Sequence, residues 1–310
     1  MHIQRVAILG AGGLGAAYGS RFLRAPGFET QFIARGERYE RLRRDGLIVN
    51  GEAYDVPVIH PDDENAQTTD LILVAVKHHH LETALPDLQR FVGEKTTILS
   101  VMNGLDSEPM IGGRYGMEKL LYGMALGIDA VREGNHIDYS AGGKIFFGEA
   151  ANDNLSERVR SIQDALERAN IPYEIPVDMM RAMWRKFMIN VGINQASAVL
   201  RAPYGVFQSD PAAQEIMESL MREAIAVAVA EGVDLNETDL LGWYDFLNTL
   251  SPEGKTSMLQ DVEAGRKTEV EIFGGKVVAL GEKLAIDTPV NRTIVNAILV
   301  QERQGAFPGA

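Results

Sequence analysis

The feature that most constrains the fold is a run of glycines near the start of the sequence. Arg5–Leu9 (RVAIL) has the pattern of a short buried strand and runs directly into Gly10-Ala11-Gly12-Gly13-Leu14-Gly15. A helical pattern follows from Leu14 to Leu23. Glycines at this spacing between a strand and a helix have a specific physical sense. The first allows a tight turn, the second lets a pyrophosphate approach the backbone, and the third lets the helix lie close on the strand. The helix N-terminus then offers unpaired N–H groups to the phosphates. The first half is therefore expected to be α/β, a Rossmann-type dinucleotide-binding domain. Gly10, Ala11, Gly12, Gly13, Leu14 and Gly15 would be its cofactor loop.

A second strand, Glu29–Ala34 (ETQFIA), ends at Arg35-Gly36. A free ribose 2′-hydroxyl is usually met by Asp or Glu at this point. Neither stands at Phe32–Gly36, and the guanidinium of Arg35 suits a 2′-phosphate. The expected cofactor is thus NADP (as NADPH), with Arg35 among its contacts. Arg38, Arg41, Arg43 and Arg44 follow on a basic helix, most of them expected in solvent, with Arg38 the next candidate. Leu47–Val49 and Tyr54–Ile59 resemble a hairpin around Asn50-Gly51. Asp70–Val76 and Thr96–Met102 are apolar runs suited to a parallel sheet, and they end at Lys77 and at Asn103-Gly104. Ligands of open α/β sheets bind outside the carboxyl ends of the strands, so Lys77 and Asn103 become candidate cofactor and substrate contacts. Strand-like runs over Leu120–Gly148 are expected to finish the sheet. His78, His79 and His80 diverge on a helix or a strand and have no spaced carboxylate, so no metal is expected.

From about residue 177 the pattern is helical throughout, which divides the chain into 1–176 and 177–310. The first helix of the second part, Asp178–Leu200, is apolar over most of its circumference, as buried helices are. Lys186, Asn190 and Asn194 nevertheless recur every four residues and fall, with Ser197, in a wedge of roughly 80°. Two readings stay open. The wedge is the wet face of the helix, with the lysine in solvent, or it is a catalytic lysine with two amides lining a polar pocket. A helical domain after a dinucleotide unit leaves an interdomain cleft as the expected ligand site.

Composition excludes several classes. The chain has 310 residues, no cysteine and a formal net charge of −13. Thiolate chemistry and disulfides are absent. A nucleic-acid or anionic-membrane surface is disfavoured, and any anionic ligand must meet a local cluster of positive groups. No apolar run is long enough to span a bilayer and no signal-peptide layout opens the sequence, so a cytoplasmic enzyme is expected.

Lys255–Gly275 reads KTSMLQDVEAGRKTEVEIFGG, with Ser-Met-x-x-Asp followed by Thr-Glu-Val-Glu. With Lys186-x3-Asn190-x3-Asn194, the glycine loop, Val76-Lys77, Asn103-Gly104 and Ala285–Asn291, it resembles the ketopantoate reductases (2-dehydropantoate 2-reductases). The resemblance runs from residue 6 to about 291. It implies a 6-phosphogluconate-dehydrogenase-like C-terminal arrangement and NADPH-dependent reduction of 2-dehydropantoate to (R)-pantoate for pantothenate and coenzyme A synthesis. Lys186 would be the general acid, Glu269 would bind the substrate hydroxyl or hold Lys186, and Ser257 would hold the substrate carboxylate. Asn190, Asn194 and Asn103 would line the pocket. Helical spacing alone would place Ser257 and Glu269 about 120° apart, so one site needs a bend, with Gly265 the candidate. Glu253-Gly254-Lys255 departs from the family, whose members often carry an asparagine before the serine, and the three histidines are not a family feature. Reduction of another branched or aromatic 2-keto acid is the rival reading, and a non-catalytic NADP-binding sensor is a third. A homodimer is compatible with the sequence.

Overall fold

The fold is taken from a computed structural model, which describes residues 2–128 and 130–305. The chain forms two compact units, Met1–Met180 and Arg181–Ala310. In the first unit the strands are β1 (Arg5–Leu9), β2 (Glu29–Ile33), β3 (Leu47–Val49), β4 (Glu52–Tyr54), β5 (Val58–Ile59), β6 (Leu71–Val74), β7 (Thr97–Ser100), β8 (Leu120–Ile128), β9 (Val131–Glu133), β10 (His136–Asp138), β11 (Gly142–Gly148) and β12 (Tyr173–Glu174). Its helices are α1 (Gly13–Arg24), α2 (Gly36–Asp45), α3 (His78–Ala84), α4 (Ser107–Tyr115) and α5 (Glu157–Arg168).

Eight strands make one sheet in the order β12-β11-β8-β7-β6-β1-β2-β5. All neighbours are parallel except β8 and β11. β1 is flanked by β2 on one side and β6 on the other, so the strand order reverses at β1, where such sheets bind their ligands. β6 and β7 are buried throughout, as strands covered on both faces must be.

Two expectations about the sheet are corrected. The hairpin around Asn50-Gly51 pairs Leu47–Val49 with Glu52–Tyr54 only. Val58–Ile59 leaves it and joins β2 in the large sheet, where the carbonyl of Pro57 accepts from Phe32 N at 2.8 Å. Pro57 has no N–H to continue the hairpin ladder. Likewise only β8 and β11 of the 120–148 region finish the large sheet. β9 and β10 join β3 and β4 in a second, four-stranded sheet.

The second unit is helical. α6 (Met179–Leu200) enters it and is followed by α7 (Tyr204–Ser209), α8 (Pro211–Ala230), α9 (Glu237–Leu247), α10 (Ser257–Glu263), α11 (Gly274–Leu284) and α12 (Pro289–Gly305). The first residues of α6 stay with the first unit, where Met179 N donates to Ala150 O at 3.0 Å. α6 is the core of the second unit, buried at Phe187, Met188, Val191, Ile193, Ala196 and Ala198. α8 lies so close that a Cβ on Gly192 would stand 2.9 Å from Met217 O. The buried Gln195 donates to Asn291 Oδ1 at 3.0 Å, and Asn291 Nδ2 donates to Glu223 at 2.8 Å. Glu223 also accepts from Val290 N and Asn291 N, so it holds the first turn of α12. Asn291, part of the family-like tail, thus has a structural task.

Candidate active site

The first unit builds its site from backbone. Gly10 has φ +106°, and a Cβ there would lie 2.6 Å from Ala75 O. A Cβ on Gly15 would run into Gly10 O, which shows how closely α1 lies on β1. Gly12 is different: no atom lies within 4 Å of where its Cβ would be. Gly12 is also the N-cap of α1, and the first N–H groups of that helix have no intrahelical acceptor. Open space over a glycine, faced by unpaired N–H donors and the positive end of a helix, fits the pyrophosphate of a dinucleotide.

The other candidates of this unit lie at the carboxyl ends of neighbouring strands. Arg35 follows β2, as the N-cap of α2, and its Nη2 stands 2.5 Å from Oδ1 of the buried Asp87. Burial holds the Asp87 carboxyl above the usual range, outweighing the opposing effect of Arg35. Lys77 follows β6 as the N-cap of α3, with an exposed side chain. Asn103 follows β7 and is half-buried. A network absent from the sequence reading supports its loop: Ser100 Oγ donates to Ser107 Oγ at 2.9 Å, and Ser107 Oγ donates to Glu108 at 2.8 Å. Met102 N also donates to Ser100 Oγ at 3.3 Å. Nothing local in the sequence pairs a strand-end serine with the first turn of α4. His79 and His80 are exposed on α3, and no cluster of metal-ligating side chains occurs among the described residues.

The second unit builds its site on α6. Lys186 is only 9% exposed and Asn194 7%, while Asn190 is half-buried. The wet-face reading therefore fails, because a solvated lysine stripe would not be withdrawn from water. An ammonium held this far from bulk solvent needs polar company, and Asn190 and Asn194 follow it on the same face of α6. Ser197, at the far end of the wedge, is occupied structurally. It donates to Ala202 O at 2.7 Å and accepts from Thr256 Oγ1 at 3.2 Å.

Thr256 is the residue that the sequence reading passed over. It caps α10, accepting from Leu259 N at 3.1 Å, so the cap hydroxyl is Thr256 and not Ser257. The Thr256–Ser197 bond docks the start of α10 on α6 and leaves Ser257, the first residue of α10, exposed. The chain then bends where expected. α10 stops at Glu263, Gly265 takes φ +62°, and Arg266 closes the turn on Asp261. The half-buried Glu269 follows, next to Thr268, whose N and Oγ1 donate to Glu302 of α12 at 2.7 and 2.6 Å.

The family description Ketopantoate reductase PanE/ApbA matches residues 6–152, and Ketopantoate reductase PanE/ApbA C terminal matches residues 178–302. The chain belongs to the ketopantoate reductase family. A 2-dehydropantoate 2-reductase of Archaeoglobus fulgidus is 29% identical over 96% of this chain and 98% of its own. The crystal structure of 2-dehydropantoate 2-reductase from Geobacter metallireducens is 26% identical, with a TM-score of 0.84, over 96% of this chain and 99% of that one. A ternary structure of D-mandelate dehydrogenase with NADH and anilino(oxo)acetate shares the fold, with a TM-score of 0.88 at 20% identity over 98% of this chain and 100% of that one. This ketopantoate reductase family member thus has a Rossmann-type unit followed by a helical one. No helix among its described residues is long and apolar enough to cross a membrane.

Proposed function

We propose that the chain catalyses the NADPH-dependent reduction of 2-dehydropantoate to (R)-pantoate. The observation that carries this reading is Lys186, withdrawn from solvent in line with Asn190 and Asn194, in a chain of this family. The dinucleotide, when bound, supplies a hydride to the C2 carbonyl carbon. Negative charge then develops on the carbonyl oxygen, and the Lys186 ammonium stabilises it and gives up its proton there. Because the ammonium is positioned beforehand, its effect is greatest in the transition state. Glu269 binds the substrate hydroxyl or holds Lys186, Ser257 takes the substrate carboxylate through its hydroxyl, and Asn190, Asn194 and Asn103 fix the substrate's polar edge. Lys77 and Arg35 contact the cofactor. The assembly expected is a homodimer in the cytoplasm.

The test is oxidation of NADPH followed by absorbance, with ketopantoate beside a panel of branched and aromatic 2-keto acids. Preference for ketopantoate supports the reading. Turnover restricted to an aromatic keto acid moves the substrate and keeps the chemistry. Dinucleotide binding without any turnover removes catalysis from the proposal.

A further inference from the structure

Arg132 of β9 lies close enough to Arg38 and Arg41 of α2 to feel both charges. A Cβ on Gly13 would lie 3.0 Å from the Cβ of Ala130, so β9, which starts at the next residue, leaves from beside the first turn of α1. The hairpin it forms with β10 reaches α2 at its other end, where Asn135 Nδ2 donates to Asp45 O at 3.1 Å. Arg132 sits midway along this path. Arg38 and Arg41, three residues apart on α2, share a helix face.

The charges that bear on Arg132 are those of Arg38 and Arg41. Among the described residues, no carboxylate pairs with Arg132, whose Nε donates to Gly134 O at 2.9 Å. Other arginines of this acidic chain do find carboxylates, as Arg158, Arg181, Arg222 and Arg266 show. Burial, then the Arg38 and Arg41 charges, brings the Arg132 guanidinium down to about 10, so it stays charged at neutral pH. Arg38 is exposed by surface area, yet the chain crowds its guanidinium enough that desolvation, then Arg41, lowers it. Asp45 offsets part of the Arg41 charge, but the like charges that remain around Arg132 raise the free energy of the empty fold, and a bound dianion relieves that.

The position selects the anion. The pyrophosphate is served by the glycine loop and the α1 N-terminus. In a fold of this kind a bound dinucleotide would place its adenosine ribose at the end of β2, where α2 begins and where Arg38 stands in the first turn. We propose that Arg132, together with Arg38 and Arg41, forms the site for the 2′-phosphate of the dinucleotide. It completes what Arg35, already paired with Asp87, meets only in part. The assignment rests on the reading of the cofactor as NADPH.

Calorimetric titration of the full chain with 2′,5′-ADP and with 5′-AMP tests it without turnover. The wild type is expected to prefer 2′,5′-ADP. Arg132→Gln and the double variant Arg38→Gln/Arg41→Gln should each lose about tenfold of that preference while holding 5′-AMP unchanged, the loss expected for one charge-assisted contact. The double variant lies on the surface of α2, so it decides the question even where Arg132→Gln loosens the hairpin. Preference kept in both variants, or equal weakening of both ligands, overturns the arginine site and leaves the NADPH reading standing. A wild type with no preference overturns both.

Discussion

At the scale of single residues, the glycine loop separates two kinds of necessity. Gly15 is needed for packing, since any Cβ there meets Gly10 O. Gly12 has nothing beside it and is needed only when a ligand arrives. Gly15→Ala should therefore cost about 1–3 kcal/mol of stability, as overpacking does. Gly12→Ala should melt like the wild type in thermal denaturation and lose dinucleotide affinity in titration. Equal melting losses in both would contradict the distinction. Asp87 yields a second prediction. Its folded carboxyl titrates above its unfolded value because burial outweighs Arg35. Its protonated form is thus favoured by folding, and the stability this gives is lost as pH rises out of the acid range. Asp87→Asn should match the wild type near pH 3.5 and gain on it as pH approaches 7, read by melting at each pH. The loop was legible in the sequence because all six of its residues are contiguous. The Arg35–Asp87 pair was not, because nothing local joins positions so far apart in the chain.

At the scale of elements, a hydroxyl pair, Thr256 on Ser197, links α10 to α6. Thr256→Ala removes both a helix cap and this dock. It should cost about 1 kcal/mol in stability and raise the KM for the keto acid without changing dinucleotide affinity. A KM that stays put would relieve Thr256 of any part in placing Ser257. α6 itself was readable from its length and apolar density. Strands β9 and β10 were recognisable as strands but not as members of a second sheet. β10 pairs with β3, His136 opposite Ile48, and only the folded chain brings the two together. The same non-local pairing hides Arg132 from Arg38 and Arg41.

At the scale of the whole molecule, the proposed reaction divides its labour between the two units. The first carries the dinucleotide loop and its flanking cations, and the second carries Lys186, Ser257 and Glu269. Lys186→Ala should therefore keep NADPH affinity in a fluorescence titration and lose about two or more orders of magnitude in kcat. Turnover within tenfold of the wild type would take Lys186 out of its role. The domain order and the helical character of the second half followed from periodicity. The burial of the lysine did not, since a polar wedge on an apolar helix reads equally well as a wet face.

Under the role proposed for Glu269, the clasp between Thr268 and Glu302 makes the last helix a working part of the site. Glu302 fixes the backbone one residue before Glu269. An exopeptidase that trimmed the chain back to Val300 would cut no candidate catalytic residue, yet it would let that segment drift. Such a clipped protein should still bind the dinucleotide and should turn over poorly. Intact-mass analysis is thus the first control for any preparation that binds cofactor but looks inactive.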